Sequence, residues 1–282
     1  MAEVGRRTAS ALLDQVTATL ERANIEAPRR TARRLWTDLA GDPMALLHGT
    51  EREVDEEFAQ QVTAAAERLA AGEPLAYVTG WTGFRHLRLM TDRRALIPRP
   101  ETELLVELAI ARVHGGVAAD IGTGTGAIAL SLKSEGAFET VWGVDLWAPA
   151  LALAESNGAR LGIEVRWALG DLVAPIDGQV DLLVSNPPYL TEAEYDALDA
   201  SVRDYEPRLA LPSGADGLTA TRRLLDEGRA VVREGGWIAL EVDCRRAAAT
   251  AALAEGFGWR EVLVRDDLFG RERYVLARRG SA

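Results

Sequence analysis

Four consecutive residues, Asn186-Pro187-Pro188-Tyr189, carry the most specific chemistry in the 282-residue chain. Adjacent prolines hold the backbone extended, with no amide hydrogens and with carbonyls projecting outward. A planar NH2 group has two hydrogens. The Asn186 side-chain oxygen can accept one and the Pro187 carbonyl the other, while Tyr189 covers the flat face. An amide or aromatic amino nitrogen is a poor nucleophile because its lone pair is delocalised. Holding both hydrogens in acceptors and aiming the nitrogen lets the lone pair localise as a bond forms. Positioning of this kind can supply up to ~7–11 kcal/mol of a barrier. Such a site needs no metal and no general base before group transfer. Asn-Pro and Pro-Pro are also ordinary turn dipeptides, so the catalytic reading depends on what accompanies them.

What accompanies them is Asp120-Ile121-Gly122-Thr123-Gly124-Thr125-Gly126, ahead of a helical stretch at 127–134. Glycines allow a tight turn and close approach of backbone to a ligand. Asp145, nineteen residues after Gly126, is placed to accept hydrogen bonds from both hydroxyls of a ribose. Gly170-Asp171-Leu172 follows the next apolar run, beside the expected position of a base. No Gly-Lys-Ser/Thr follows the glycines, so this is not a phosphate-binding P-loop. The G-x-G-x-G spacing also lacks the two-residue gap of dinucleotide sites. Asp120 would repel a pyrophosphate but suits a cationic ligand end. These features point to S-adenosylmethionine.

Elements of a particular order must position these residues. Apolar runs at 117–121, 140–144, 163–169, 180–185 and 237–242 alternate with helical stretches, the pattern of a mostly parallel sheet covered on both faces. The last two strands, about 261–265 and 272–278, are separated only by Asp266–Arg271, too short for a parallel crossover, so they pair antiparallel. Pro100 opens a helix with Glu101 and Glu103 in its first turn, and Gly115-Gly116 is expected to close it. Residues 1–76 read as helices only. Leu12, Leu13, Val16 and Leu20 recur at helical spacing, a second helix starts near Pro28, and a third runs from about Val54 to Ala71. Between the two regions, residues 77–98 interleave apolar residues with Gly80, Gly83 and Asp92, which predicts a β-hairpin linker. The expected division is therefore 1–76, 77–98 and 99–282.

Composition removes other classes. With 48% hydrophobic and 27% charged residues, the chain is globular. A net charge of −11 argues against a protein that grips duplex DNA. Residues 1–90 hold 11 basic and 13 acidic residues, so most of the excess lies downstream. Arg29, Arg30, Arg33 and Arg34 are locally basic, either a solvated helix face or a docking surface for an acidic partner. One cysteine, Cys244, excludes an internal disulfide and is expected to be a buried thiol at a strand end. His48, His86 and His114 have no ligand spacing, so no metal is expected. There is neither a membrane-length apolar run nor a signal-peptide core, and the protein is expected to be cytoplasmic. Thr191 and Glu194 form a capping-box pattern after the proline pair. The tryptophans, including Trp142, Trp147, Trp167 and Trp237, are expected to pack beside strands, with Trp147 near the cofactor.

Asn-Pro-Pro-Tyr together with Asp-Ile-Gly-Thr-Gly-Thr-Gly resembles the class I S-adenosylmethionine-dependent methyltransferases that modify planar nitrogens. The stretch Leu96-Ile97-Pro98-Arg99-Pro100-Glu101-Thr102-Glu103 narrows the resemblance to the HemK/PrmC family. It extends through Glu73–Gly80, Phe84, Tyr205-Glu206-Pro207, Gly214–Leu218 and Asp267–Arg273. The resemblance implies a five-helix N-terminal bundle that recognises substrate, a hairpin linker, and a Rossmann-like catalytic domain with a seven-stranded, mostly parallel sheet. It implies methylation of the glutamine side-chain amide in the Gly-Gly-Gln loop of peptide chain release factors. The partner would be that protein, with no nucleic acid or membrane, and the enzyme a monomer. By the same resemblance Gly122, Thr123, Gly124, Thr125, Gly126, Asp145, Leu172 and Asn186 hold the cofactor. Asn186, Pro187, Pro188 and Tyr189 form the glutamine pocket, with Asn186, Pro187 and Tyr189 catalytic, and Pro98–Pro100 lines the cofactor entrance. The family usually shows Glu, an apolar residue, Gly, two variable residues and Gln after the fifth strand. Here Asp243 and Arg246 replace that Gly and Gln, which leaves open another protein, peptide or small-molecule acceptor. A nucleic-acid amino-group methyltransferase and a non-catalytic binding module remain the competing readings.

Overall fold

In the computed structural model, which describes residues 8–281 apart from 43 and 47–51, the Thr8 hydroxyl starts the first helix by accepting from Ala11 N–H at 3.2 Å. His48 lies outside the described residues. Helix α1 (Ala9–Arg22) buries Leu12, Val16 and Leu20, spaced by four. Helix α2 (Pro28–Ala40) has proline at its first position and ends at Gly41. Helix α3 (Glu56–Ala70) is capped by Asp55, whose carboxylate accepts from Glu57 and Phe58 N–H at 2.9 and 3.2 Å. Trp36 of α2 is fully buried and meets Phe58 of α3 edge-on, centroids 5.1 Å apart.

Residues Leu75–Thr79 then form a short helix, α4, so Tyr77 and Val78 are helical and the expected start of the hairpin at 77 is corrected. Arg68 explains this. Held by Glu73 at 2.8 and 2.9 Å, it donates to the carbonyls of Tyr77 and Val78, both at 3.3 Å, and satisfies acceptors that a helix end leaves free. This first compact unit runs to Trp81 and includes the distant segment Ala200–Tyr205, whose Tyr205 hydroxyl donates to the Ala71 carbonyl at 3.2 Å.

The second unit comprises Thr82–Asp199 and Glu206–Ala282. The hairpin, β1 (Trp81–Phe84) and β2 (Leu87–Met90), starts at the last residue of the first unit and is shorter than expected, and residues 91–99 carry no strand. Then follow α5 (Pro100–Ile110), β3 (Gly115–Ile121), α6 (Ala127–Glu135), β4 (Ala137–Asp145), α7 (Ala148–Leu161), β5 (Arg166–Leu169) and β6 (Val180–Ser185). The remainder is α8 (Glu192–Asp196), α9 (Ala200–Arg203, in the first unit), α10 (Thr219–Val231), β7 (Val232–Glu241), α11 (Ala247–Gly256), β8 (Trp259–Asp266) and β9 (Glu272–Arg279).

Gly115 and Gly116 open β3 instead of closing α5, which stops at Ile110. The reason is steric. A side chain at Gly116, where φ is +88°, would strike the Asp181 carboxylate at 2.2 Å, and that carboxylate accepts from Val117 N–H at 2.7 Å.

The strand order is β5-β4-β3-β6-β7-β9-β8. The first five strands pair in parallel, and β9 is antiparallel to both β7 and β8, as the short last connection requires. Successive side chains of the central strands alternate between two apolar layers. Ala118, Leu182, Val184, Ala239 and Leu276 pack on one face with Leu105, Val106 and Leu130. Ala119, Ile121, Leu183, Ile238, Leu240 and Val275 pack on the other with Leu224, Leu225 and Trp259. Connections leave β3 toward one sheet edge and β6 toward the other. Ligands of open α/β sheets bind at the carboxyl ends of the strands where this reversal occurs.

Candidate active site

The loop after β3 is shaped by glycine and fastened by buried carboxylates. Gly122 and Gly124 have φ of +74° and +56°, a region that favours glycine. The N–H groups of Gly122 and Thr123 both donate to the Val144 carbonyl at 2.9 Å. Asp145 receives Gly124 N–H at 2.9 Å on one oxygen and Trp147 N–H at 2.8 Å on the other. Burial raises its pKa against those two donors. With Leu146 N–H as a third backbone donor, the carboxylate still has capacity for a further one.

Asp120 is fully buried and does not line the cavity, so its expected role toward a cationic ligand is corrected. One of its oxygens accepts from the Thr123 hydroxyl at 2.6 Å and Ala129 N–H at 3.1 Å, and the other has no partner. Burial, against those bonds, pushes its pKa up to about 7. It fastens the loop from inside. Gly126 is also absent from the cavity wall. Its φ of +83° favours glycine, and a Cβ there would also lie 3.0 Å from Trp167, whose ring closes on Gly143 and Gly158. Asn157, fully buried, ties the loop to β2 through Met90 N–H at 2.7 Å, Met90 O at 2.9 Å and Thr125 O at 3.0 Å. Nothing in the sequence had singled out Trp167 or Asn157 for these roles.

The cavity holds about 420 Å³, within the range of small-molecule sites. Gly122–Thr125, Asp145, Leu172, Asn186, Pro188, Pro98 and Arg99 line it; Pro187, Tyr189 and Pro100 do not. Trp147, as expected, is on the wall, and with Leu146 and Leu209 it forms a rim of apolar side chains that are 47–57% exposed. Leu172 has φ of +48°, strained for a branched side chain and without any signal in the sequence. Three arginines line the cavity, and each is held by a carboxylate: Arg94 by Asp92 at 2.7 Å, Arg99 by Glu206 at 2.7 Å, and Arg223 by Asp171 at 2.9 Å. A ligand bearing phosphates would find these cations already neutralised. An uncharged nucleoside carrying a cationic amino-acid tail suits the wall better. Glu206 also accepts from Ile97 N–H at 3.2 Å and so fixes the 96–99 wall.

At the end of β6, Asn186 reaches the cavity, Pro187 is buried and Tyr189 is half-buried. The N–H groups of Tyr189 and Leu190 both donate to Leu211 O, at 3.1 and 3.0 Å. Burial and the nearby Glu241 push the Tyr189 phenol up to about 12, so it stays protonated. The Asn186 NH2 donates to the Thr102 hydroxyl at 3.0 Å, and that hydroxyl donates to Glu241 Oε2 at 2.7 Å. The Thr191–Glu194 capping box is present, with bonds of 2.8 and 3.2 Å.

The two departures from the family pattern are engaged in ion pairs, and Asp243 stands near enough to Tyr189 to help raise its phenol. Arg246 donates to Asp216 O and to Glu194, both at 2.7 Å, and Asp243 holds Arg245 at 2.6 Å. Neither residue lines the cavity. Cys244 is partly exposed and begins a 3-10 turn, which corrects its expected place at a strand end. Among the described residues, no cluster of histidine, cysteine or carboxylates could hold a metal and no helix is long and apolar enough to cross a membrane.

Residues 11–80 match the model of the PrmC N-terminal domain, and residues 100–209 match that of the methyltransferase small domain. The chain is 42% identical over 273 residues to a release factor glutamine methyltransferase from Deinococcus radiodurans, covering 95% of this chain and 97% of that protein. It is 37% identical to the protein of that name from Nitratidesulfovibrio vulgaris, covering 99% and 97% respectively. A crystal structure of a methyltransferase from Pyrococcus furiosus superposes with a TM-score of 0.55 at 18% identity, covering 78% of this chain and all of that one, which is a likeness of fold.

Proposed function

The chain belongs to the release factor glutamine methyltransferase family, and from that premise we propose that it transfers a methyl group from S-adenosylmethionine to the side-chain amide nitrogen of the glutamine in the Gly-Gly-Gln loop of a peptide chain release factor. The observation that carries this reading is the meeting of two features around one cavity. The glycine loop of β3 and Asn186 of β6 stand at the carboxyl ends of adjacent parallel strands, where Ile121 pairs with Ser185.

In this reading Gly122–Thr125, Asp145 and Leu172 hold the cofactor, which supplies an electrophilic methyl on a sulfonium. Asp145 receives a ribose hydroxyl on its remaining lone pair. Asn186 Oδ1, on the cavity wall, accepts one hydrogen of the glutamine amide; the Pro187 carbonyl and Tyr189, which do not line the cavity, are assigned the other hydrogen and the amide face from the family resemblance alone. The chain thereby aims the nitrogen and lets its lone pair localise. The apolar rim keeps water from competing at the reacting atoms. The helical first unit, with Arg29, Arg30, Arg33 and Arg34 exposed on α2, is the part we assign to recognising the protein partner.

Incubation with labelled S-adenosylmethionine and a release factor, followed by mapping of the label by mass spectrometry, tests the proposal. Label on the Gly-Gly-Gln glutamine is expected. Label confined to other residues, or to added nucleic acid, refutes it.

A further inference from the structure

We infer that Thr102 and Glu241 are positioning residues for methyl transfer: together they dictate which end of the Asn186 amide faces the acceptor. The inference rests on the reading of Asn186 as the acceptor of a substrate N–H. It begins from a hydrogen-bond chain joining three elements, α5, β6 and β7, across separations of 84 and 139 residues.

An ionised carboxylate can only accept hydrogen bonds, and a hydroxyl has one proton to give. Thr102 gives its proton to Glu241 at 2.7 Å, so lone pairs are all it can offer Asn186. Only the NH2 end of Asn186 can meet them, at 3.0 Å, and the carbonyl end is thereby left for the acceptor. A reversed amide would set oxygen against an oxygen with no proton to share. It would also present NH2 to a substrate NH2. Thr102 is 4% exposed and Glu241 1%, so water cannot replace a lost partner. The polarity of a buried carboxylate is thus passed through a hydroxyl to an amide at the cavity wall.

The charges around Glu241 bear on its proton. Arg273 and Arg99 favour the carboxylate, Glu101 opposes it, and the phenols of Tyr189 and Tyr274 stand nearby. Burial prevails and raises the Glu241 pKa to about 7. A protonated Glu241 no longer forces the Thr102 hydroxyl to donate toward it, and the amide loses its fixed sense. Methyl transfer should therefore rise with pH through an acid limb near neutrality.

Single-turnover methylation of a release factor at saturating S-adenosylmethionine tests the chain, with calorimetry of cofactor binding as the check of folding. Thr102→Val is expected to slow transfer about 10–100-fold, the weight of one buried hydrogen bond to a positioned group. Cofactor affinity should stay within threefold. Thr102→Ser should retain at least a third of the wild-type rate, and Glu241→Gln should lose the acid limb. In an Asn186→Ala background, Thr102→Val should add nothing. Three results would overturn the inference: Thr102→Val within threefold of wild type, Thr102→Ser as slow as Thr102→Val, or an acid limb unchanged in Glu241→Gln. If Thr102→Val does not fold, the Thr102→Ser and Glu241→Gln results decide. Failure of the inference differs from failure of the reading beneath it: in the first case Asn186→Ala is slow while Thr102→Val is not, and in the second Asn186→Ala is itself active and both fall.

Discussion

At the end of β3 the cavity wall is backbone, turned by glycines and fastened by Asp120 and Asp145. At the end of β6 its polar group is one side chain, Asn186, oriented by two others. The fastening at β3 is local: Asp120 reaches only Thr123 and Ala129, and Asp145 reaches Gly124 across one strand pair. At β6 it depends on the register that brings the ends of β6 and β7 to one level, with Ser185 opposite Leu240, and on α5. Apart from Asp145, a cofactor half made of backbone tolerates side-chain change wherever backbone geometry survives. An acceptor half made of side chains does not. Substitutions should therefore separate binding from chemistry.

The largest effect is expected at Asn186. Asn186→Ala should lower single-turnover methyl transfer by ~10²–10³, by analogy with removing one oxyanion-hole donor. Cofactor affinity should change little, because the glycine loop and Asp145 are untouched. Transfer within a few-fold of wild type would reduce Asn186 to a turn residue and abolish the contrast between the halves.

The counterpart on the other side is Asp145→Ala, with a smaller effect of the opposite kind. Each charge-assisted hydrogen bond contributes ~1.5–3 kcal/mol, or ~10–150-fold in affinity. S-adenosylmethionine binding should weaken by that order in calorimetry, while the rate at saturation changes less. Wild-type affinity in the variant would remove Asp145 from the cofactor site.

The contrast also shows what a sequence can disclose. That Gly122–Thr125, Asp145 and Asn186 border one cavity was legible, because each stands at the end of an apolar run, whereas Gly126 was grouped with them and does not line it. Thr102 and Glu241 were not legible, because only tertiary register brings them to Asn186. Trp167 was read as ordinary packing, yet its ring leaves no room for a side chain at Gly143 and crowds Gly126 and Gly158. Gly115 and Gly116 looked like a helix stop, since nothing in the sequence places Asp181 against them. Tyr77 and Val78 suit a strand by type, but Arg68 satisfies the carbonyls of a helix there. Local order was readable; long-range steric and polar demands were not.

A third test asks whether the two halves titrate alike. Burial raises Asp120 and Glu241, one from each half, from ordinary values of 3.8 and 4.5 to about 7. The folded chain therefore keeps protons that the unfolded chain releases near pH 4. Where the folded state binds more protons, stability falls as pH rises. The contribution of each group is complete below about pH 4 and lost as pH climbs through 7. The slope is at most about tenfold in the unfolding equilibrium per pH unit per group. Urea titrations from pH 5 to 8 should show this decline, and Asp120→Asn or Glu241→Gln should each flatten part of it. If one variant flattens all of it, the two halves differ in protonation as well as construction.

The smallest effect on activity is expected where the chain departs from its family. Arg246 stands in place of the family's glutamine, and a pocket altered by that change would take a different acceptor. The guanidinium instead donates to Asp216 O and Glu194 at 2.7 Å, and it is 9% exposed. It braces the capping-box helix α8 and the 213–217 loop behind the Asn186–Tyr189 segment. Arg246→Gln restores the family residue but removes a charge from a largely buried pair, and a partner left uncompensated is destabilising. Arg245 still reaches Glu194 at 2.8 Å, so the loss is partial. The urea midpoint should fall, while methyl transfer to a release factor stays within threefold of wild type. A brace shifts stability alone; a specificity residue would shift the choice of acceptor. Should Arg246→Gln raise or lower the rate on a release factor tenfold without changing the midpoint, Arg246 belongs to the acceptor half after all.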